Sequence, residues 1–305
     1  MTVPKKKKDQ FVIAYLADLD CTTGTQAAQP RDTTQTVVDY ARAVAKFLHK
    51  GLILLYICDK KYTKVTTDEA QKRLTAIKEQ YNGEDISFCA LKGKTRDVIS
   101  LLPTALNAVI VVAGVDRRAS LLKPTNPRRV IWDFGQCRTA YLTVQPHASS
   151  NQYNGQSGVD PTFSFKHVAL RIDYQRESKE KLIWASYFAR FNDSKLHVMH
   201  EVYKDSGLRT KFDNNMLFLD KFFGGLGVGY ETETLPTVAN FPDKCAVKQA
   251  SEKGYSLMIC ITTDTREMDF LDWFISPQET RVIKNKQNLP VLFINPRDDI
   301  YVLCD

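Results

Sequence analysis

The feature that most narrows what this chain can fold into is a pattern of apolar runs that occurs twice. Runs suited to strands lie at 11–17, 51–57, 86–91, 108–113 and 140–144, then again at 167–172, 195–202, 232–238, 256–261 and 290–294. Measured between mid-strand positions, the second-to-third spacing is 34 residues in the first set and 37 in the second; the next two spacings are 22 against 23 and 31 against 33. Matching intervals of this kind mark a duplicated unit. Helical periods fill the gaps. Val37, Ala41, Val44, Ala45 and Leu48 share one face of a segment 33–50, and Ala70, Leu74, Ile77 and Tyr81 stripe a helix that Thr66 and Glu69 open as a capping box. Further helices are expected at 96–106, with Pro103 inside, at 177–191 and at 216–223. Strands alternating with helices imply right-handed crossovers and a mostly parallel sheet, so the fold class is α/β with two tandem open five-stranded units flanked by helices.

The division follows from composition. Ser, Asn, Gln, Gly and Pro dominate from Pro146 to Pro161 and leave almost nothing apolar to bury, so the units are 1–145 and 165–305 with 146–164 as a linker. The first crossover is the discrepancy, 42 residues against 30, and the extra length falls at 19–31, read as a tolerated surface insertion. Charge is uneven as well. Residues 1–150 hold 23 Lys/Arg against 14 Asp/Glu, net +9, and residues 151–305 hold 19 against 21, net −2. Lys5 to Lys8 supply four of the positives, and without interleaved aromatics they read as a solvated tail, not a nucleic-acid contact. No apolar run reaches the roughly 18–20 residues needed to cross a bilayer, and no secretory segment follows the lysines, so a cytoplasmic protein with no membrane partner is expected. Seven cysteines, an odd and scattered set without a Cys-x-x-Cys pair, read as reduced thiols.

Ala108-Val-Ile-Val-Val-Ala-Gly114 is apolar on consecutive residues, as a strand covered on both faces should be, and the loop behind it lies where an open α/β sheet holds a ligand. Asp18 closes the first strand of unit one and Asp173 the first strand of unit two. With these residues, the layout and the spacing, nearly the whole chain resembles a tandem member of the universal stress protein family, an adenine nucleotide alpha hydrolase-like fold. The resemblance implies sheet order 3-2-1-4-5 in each unit and an intramolecular pseudo-dimer, with a homodimer as a further association. It also implies ATP held by an aspartate ending strand one in a Val-Asp-x-Ser pattern and by a G-x2-G-x9-G-[ST] loop after strand four.

The family's aspartates are present, but the serine two positions on is replaced by Asp20 and Gln175, and the glycine loop is lost. Gly114 keeps the first glycine, Arg117 stands at the second, and Pro127-Arg128 stand at the final pair; unit two has Thr263, Arg266 and Pro277-Gln278 there. Phosphate needs bare, donating backbone at those points, which arginine and proline do not offer. Asn126-Pro127 and Ser276-Pro277 read instead as N-cap and first helical position. Anion binding keeps a foothold in unit one, where Arg117, Arg118, Lys123, Arg128 and Arg129 crowd 13 residues beside a helix start; Asp264, Glu267, Asp269 and Asp272 oppose it in unit two. The ligand set is therefore Asp18, Asp20, Gly114, Arg117, Arg118, Arg128 and Arg129, with Asp173, Thr263 and Arg266 as an inactive counterpart.

The remaining motifs point to no chemistry. Gly224-Gly225-Leu-Gly227-Val-Gly229 follows a helix and precedes a strand, the reverse of a dinucleotide turn, and reads as a helix stop. His197 and His200 have helical metal spacing, but on a strand they face opposite ways. Trp132, Trp184 and Trp273 sit in apolar helical context. No catalytic residue, metal or cofactor is assigned, and the expectation, from the resemblance, is a non-enzymatic stress-response or regulatory protein of the universal stress protein type acting through a protein partner or a small anion in the first unit. The alternative is an ATP or AMP site on the basic loop with slow hydrolysis; an adenylyl-transferring enzyme is disfavoured because Asp18-Leu-Asp20 replaces its glycine-rich loop.

Overall fold

The computed structural model describes residues 10–19, 33–81, 84–146, 164–236, 241–262, 278–285 and 288–296. Unit one runs β1 (Phe11–Tyr15), α1 (Thr33–Leu48), β2 (Gly51–Cys58), α2 (Thr67–Glu79), β3 (Ile86–Lys92), α3 (Thr95–Ala105), β4 (Ala108–Gly114), α4 (Pro127–Phe134) and β5 (Ala140–Val144). Unit two repeats the order: β6 (His167–Arg171), a 3₁₀ turn (Arg176–Lys179) leading into α5 (Glu180–Asn192), β7 (Lys195–His200), α6 (Ser206–Leu226), β8 (Tyr230–Thr234), α7 (Pro242–Glu252), β9 (Leu257–Ile261), α8 (Gln278–Ile283) and β10 (Val291–Ile294). Nearly all of the linker, the 19–31 insertion beyond Leu19, Asp20, Thr263, Arg266, Trp273 and the N-terminal lysines lie outside the described residues.

The strands form one sheet in the order β3-β2-β1-β4-β5-β10-β9-β6-β7-β8, so each half has the order 3-2-1-4-5. Pairing is parallel within each half, and the halves join through one antiparallel pair, β5 with β10, in the register Thr143↔Val291, Leu142↔Leu292 and Tyr141↔Phe293. An edge strand carries unpaired backbone groups, and here each half covers the other's. Tyr141 stacks on Phe293 at 5.3 Å, and Asn295 Nδ2 donates to the Phe134 and Cys137 carbonyls at 2.9 and 2.6 Å, so the seam is both apolar and hydrogen-bonded.

Why the strands read as unbroken apolar runs is evident from the layers. One core, containing Val37, Leu74, Phe188 and Phe223, lies under α1, α2, α5 and α6; the other, containing Ile99, Ile131, Val247 and Ile283, lies under α3, α4, α7 and α8. Both cores run through both halves, and both faces of the central strands are buried. The edge strand β8 differs: Tyr230 to Thr234 is largely exposed, and its weak apolar signal explains why it begins two residues before the expected 232–238. Helix α6 is longer than its apolar stretch because Asp205 caps it, accepting from the Leu208 amide at 2.8 Å, and Gly227 ends it at φ +66°. Thr66 and Asn126 cap α2 and α4 as expected, accepting from the Glu69 and Arg128 amides at 3.3 and 3.0 Å. Pro103 is tolerated near the end of α3. Cys58, Cys89, Cys137, Cys245 and Cys260 are free thiols. No helix among the described residues is long and apolar enough to cross a membrane.

Candidate functional site

In each half the strand order reverses between the first and fourth strands, and the carboxyl ends there form the natural ligand crevice. The two crevices differ. In unit one, α1 closes against the end of β4: a Cβ placed on Gly114 would meet Thr33 Cβ and Val37 Cγ2 at 3.0 Å each. Glycine is needed there for helix packing. The Thr34 hydroxyl donates to the Asp18 carbonyl at 2.7 Å, fixing α1 to the end of β1.

The basic loop of unit one folds on itself. The Asp116 amide donates to the Thr125 carbonyl at 2.9 Å, the Arg118 amide to the Asp116 carboxylate at 2.9 Å, and Asn126 Nδ2 to the Ala119 carbonyl at 2.7 Å. The cations have different surroundings. Arg117 reaches the Asn285 carbonyl of unit two at 3.5 Å, Arg118 is exposed, and Arg128 gives its amide to the Asn126 cap. Arg129 donates to the Leu121 carbonyl at 3.4 Å and lies 5.9 Å from the Tyr62 ring. Beneath it Asp133 is 5% exposed. Burial raises its carboxyl to about 7 against the opposing pull of Arg129 and Lys61.

Unit two has a cleft at the same place. A cleft of about 940 Å³ lies at the carboxyl ends of β6, β9 and β10, bordered by the 3₁₀ turn and by α8. At its floor Arg171 bonds three carboxylates: Asp243 at 2.6 Å, Asp173 at 2.8 Å and Glu201 at 3.4 Å. Asp173 also accepts from the Ser178 hydroxyl and, at 2.9 Å, from the Gln175 amide, while Asn215 Nδ2 ties the Asp173 and Gln175 carbonyls at 2.7 and 2.8 Å. Burial pushes the Asp173 carboxyl up, but Lys181 and Arg171 outweigh it and hold it below the usual range. For Arg171, burial is outweighed by Asp243 and Asp173, which raise its pKa further. Lys181, on the first turn of α5, lines the cleft at 3% exposure. Burial lowers its pKa despite the attraction of Asp173. Cys260, also in the lining, is pushed well above the ordinary thiol range by burial, which disfavours its thiolate.

Of the sequence-derived candidates, Asp173 is therefore built into the cleft; Asp18, Gly114 and the arginines of unit one belong to a packed corner and a self-bonded loop. Arg171, Lys181, Glu201, Ser178, Asn215 and Asp243 were not anticipated. One signal pointed to them: Arg171 interrupts an apolar run whose other members are core, and a buried arginine demands carboxylates. His197 and His200 do face opposite sides. His197 stacks on Tyr255 at 4.0 Å and contacts His167 at 3.1 Å, whereas His200 packs on Phe212. No group of three metal-binding side chains occurs among the described residues.

No protein-family model and no curated protein matches the sequence. Solved structures do match the fold. A universal stress protein from Archaeoglobus fulgidus superposes with TM-score 0.61 at 12% identity, covering 95% of this chain and 97% of that one. A protein from Pseudomonas aeruginosa described as a universal stress protein gives 0.56 at 14% identity over 97% and 95%. The cytoplasmic domain of a prokaryotic cation chloride cotransporter gives 0.51 at 13% identity over 94% and 95%. The chain thus has the fold of tandem universal stress proteins, α/β with an open sheet.

Proposed function

We propose that this chain, which shares the tandem universal stress protein fold, is a non-enzymatic regulatory module that senses a small ligand and acts through a protein partner. The observation that carries the reading is the loop after β4. Where a polyphosphate would need convergent free amides, Asp116, Arg118 and Asn126 spend theirs inside the loop and Pro127 has none to give. The loop serves as a helix cap and as a strut to unit two through Arg117. The cleft over unit two, lined by both charge signs, supports ligand sensing there. That a transporter's cytoplasmic domain has the same double fold supports action through a partner.

Thermal unfolding with ATP, AMP and inorganic phosphate tests the reading. A ligand at 100 times its dissociation constant adds about 2.7 kcal/mol, a rise of several degrees, and none is expected from ATP. The competing reading places ATP or AMP on Arg117, Arg118, Arg128 and Arg129, with slow hydrolysis. Stabilisation by ATP that disappears in Arg117→Ala/Arg128→Ala but persists in Arg266→Ala would replace the proposal with it.

A further inference from the structure

Large apolar side chains stand in water where α5 and α6 face outward from unit two. Ile183, Tyr187 and Phe191 follow at one-turn intervals along α5, and Leu217, Phe218 and Leu226 lie on α6; each is 37–52% exposed. The two rows meet, since α5 packs beside α6 and Lys179, one turn before Ile183, holds its ammonium 4.8 Å from the Phe218 ring. Ring centres of Trp184 and Phe191 lie 5.7 and 6.0 Å from that of Tyr187, and Phe222 lies 6.1 Å from Phe218, so the exposed groups form a stripe and are not scattered singly. Both helices already bury one apolar face in the core, through Leu182 and Phe188 of α5 and Leu219 and Phe223 of α6. A helix apolar on both sides needs cover on both. The duplication supplies a comparison: α1 and α2, in the same places in unit one, expose no large apolar side chain among the described residues. The fold itself therefore does not require the stripe.

The charges that touch the stripe are positive. Lys179 stands over Phe218, Arg190 stands over Phe191 at 5.4 Å, and Lys221 is exposed one turn beyond Phe218. None of the three joins an ion pair among the described residues. The nearby acids are engaged elsewhere: Asp213 pairs with Arg209 at 3.9 Å, Asp220 accepts from the Tyr230 hydroxyl, and Asp193 lies past the end of α5. A second copy meeting this face with its own would set cation against cation. Rings only half exposed also suit a helix laid across them better than burial about 5–10 Å deep in lipid. We propose that the outward face of α5 and α6 docks a partner protein through an acidic, amphipathic helix, its apolar side chains on Tyr187, Phe191 and Phe218 and its carboxylates on Lys179, Arg190 and Lys221. Action through a protein partner, proposed above, is the premise; the stripe adds the surface and the chemistry of what meets it. Aromatic anchors ringed by charge are the usual makeup of such a contact.

The experiment is selection against the full chain from a display library of randomised helical peptides of about 20 residues, long enough to be helical alone. The enriched helices are expected to carry net negative charge and an apolar stripe of helical period. Their affinity, read by fluorescence anisotropy, should fall at least tenfold in Tyr187→Ser/Phe218→Ser and in Arg190→Glu/Lys221→Glu. The second double variant changes exposed charge alone and serves as the readout if the first does not fold. No enriched helix, enrichment of basic helices, or binding that both variants retain overturns the proposal. So does attachment to phosphatidylserine vesicles that the aromatic variant loses, which would make the stripe a lipid contact, or a monomer–dimer equilibrium that it loses, which would make it a self-association face. These outcomes are separate from the test of the regulatory reading, which fails on ATP binding lost with Arg117 and Arg128.

Discussion

Replacing Arg171 by methionine is the most informative single perturbation of the cleft. Methionine roughly preserves the stem and its packing but removes the guanidinium, leaving the carboxylates of Asp173, Asp243 and Glu201 close together without their shared cation. Removing one partner of a buried pair costs about 3–5 kcal/mol, because the remaining charge stays desolvated. Asp173, with 5% side-chain exposure, carries most of that; Asp243 and Glu201, at 22% and 23%, are partly screened by water. The expected loss at pH 7 is therefore about 3 kcal/mol. The sign with pH follows from Asp173, whose folded pKa lies below its ordinary 3.8. Such a group stabilises the fold above the unfolded value and loses that contribution as pH falls through the folded one. The gap between wild type and Arg171→Met should therefore narrow as pH falls below 3.8 toward the lowered folded pKa of Asp173, where the charge that Arg171 stabilises is lost. Urea unfolding followed by tryptophan fluorescence at pH 7 and pH 3 measures it, Trp184 on α5 being the local reporter. A loss under 1 kcal/mol at pH 7, or an equal loss at both pH values, would refute the buried-network argument.

Three further outcomes follow from the packing and the charges. Asp133→Asn should stabilise the protein at pH 8 by up to about 4 kcal/mol, since an aspartate moved from 3.8 to about 7 is costly when ionised. That cost is absent below the unfolded value, grows as pH rises from 3.8 to about 7 and is complete above it, so the variant and wild type should converge in urea titrations at about pH 4. Gly114→Val should lower stability by about 1–3 kcal/mol, because even its Cβ would crowd Thr33 and Val37 at 3.0 Å. Calorimetry reads this as a lower Tm, and no change would show that α1 can move off β4. His197, its pKa lowered by burial against the pull of Glu231 and Glu233, should make the protein lose stability as pH falls below about 6.5; His197→Asn should flatten that slope.

How far the sequence carried the structure depends on the range of the interactions. Strands buried on both faces, such as Val109 to Ala113, are visible because burial demands apolar residues in succession. Thr66 and Asn126 were legible because their hydrogen bonds close within three residues. The polar first half of α6 was not, since a helix held by an Asp205 cap and solvent has no apolar period to show. The β5–β10 seam was illegible for another reason: nothing within 140–144 or 290–294 says which edge strand it will meet. The cleft shows the same limit. Arg171 stands 30 residues from Glu201 and 72 from Asp243, and only the fold brings them together. Counting arginines near Gly114 favoured unit one, but side-chain direction decides convergence, and Arg117 turns away toward Asn285.

The account rests on the loop after β4 being a strut and helix cap that holds no polyphosphate. Isothermal titration of the full chain with millimolar Mg-ATP asks this directly. The prediction is no saturable heat. Saturable binding with one site per chain, lost in Arg117→Ala/Arg128→Ala, would contradict it and make the first unit a working nucleotide site.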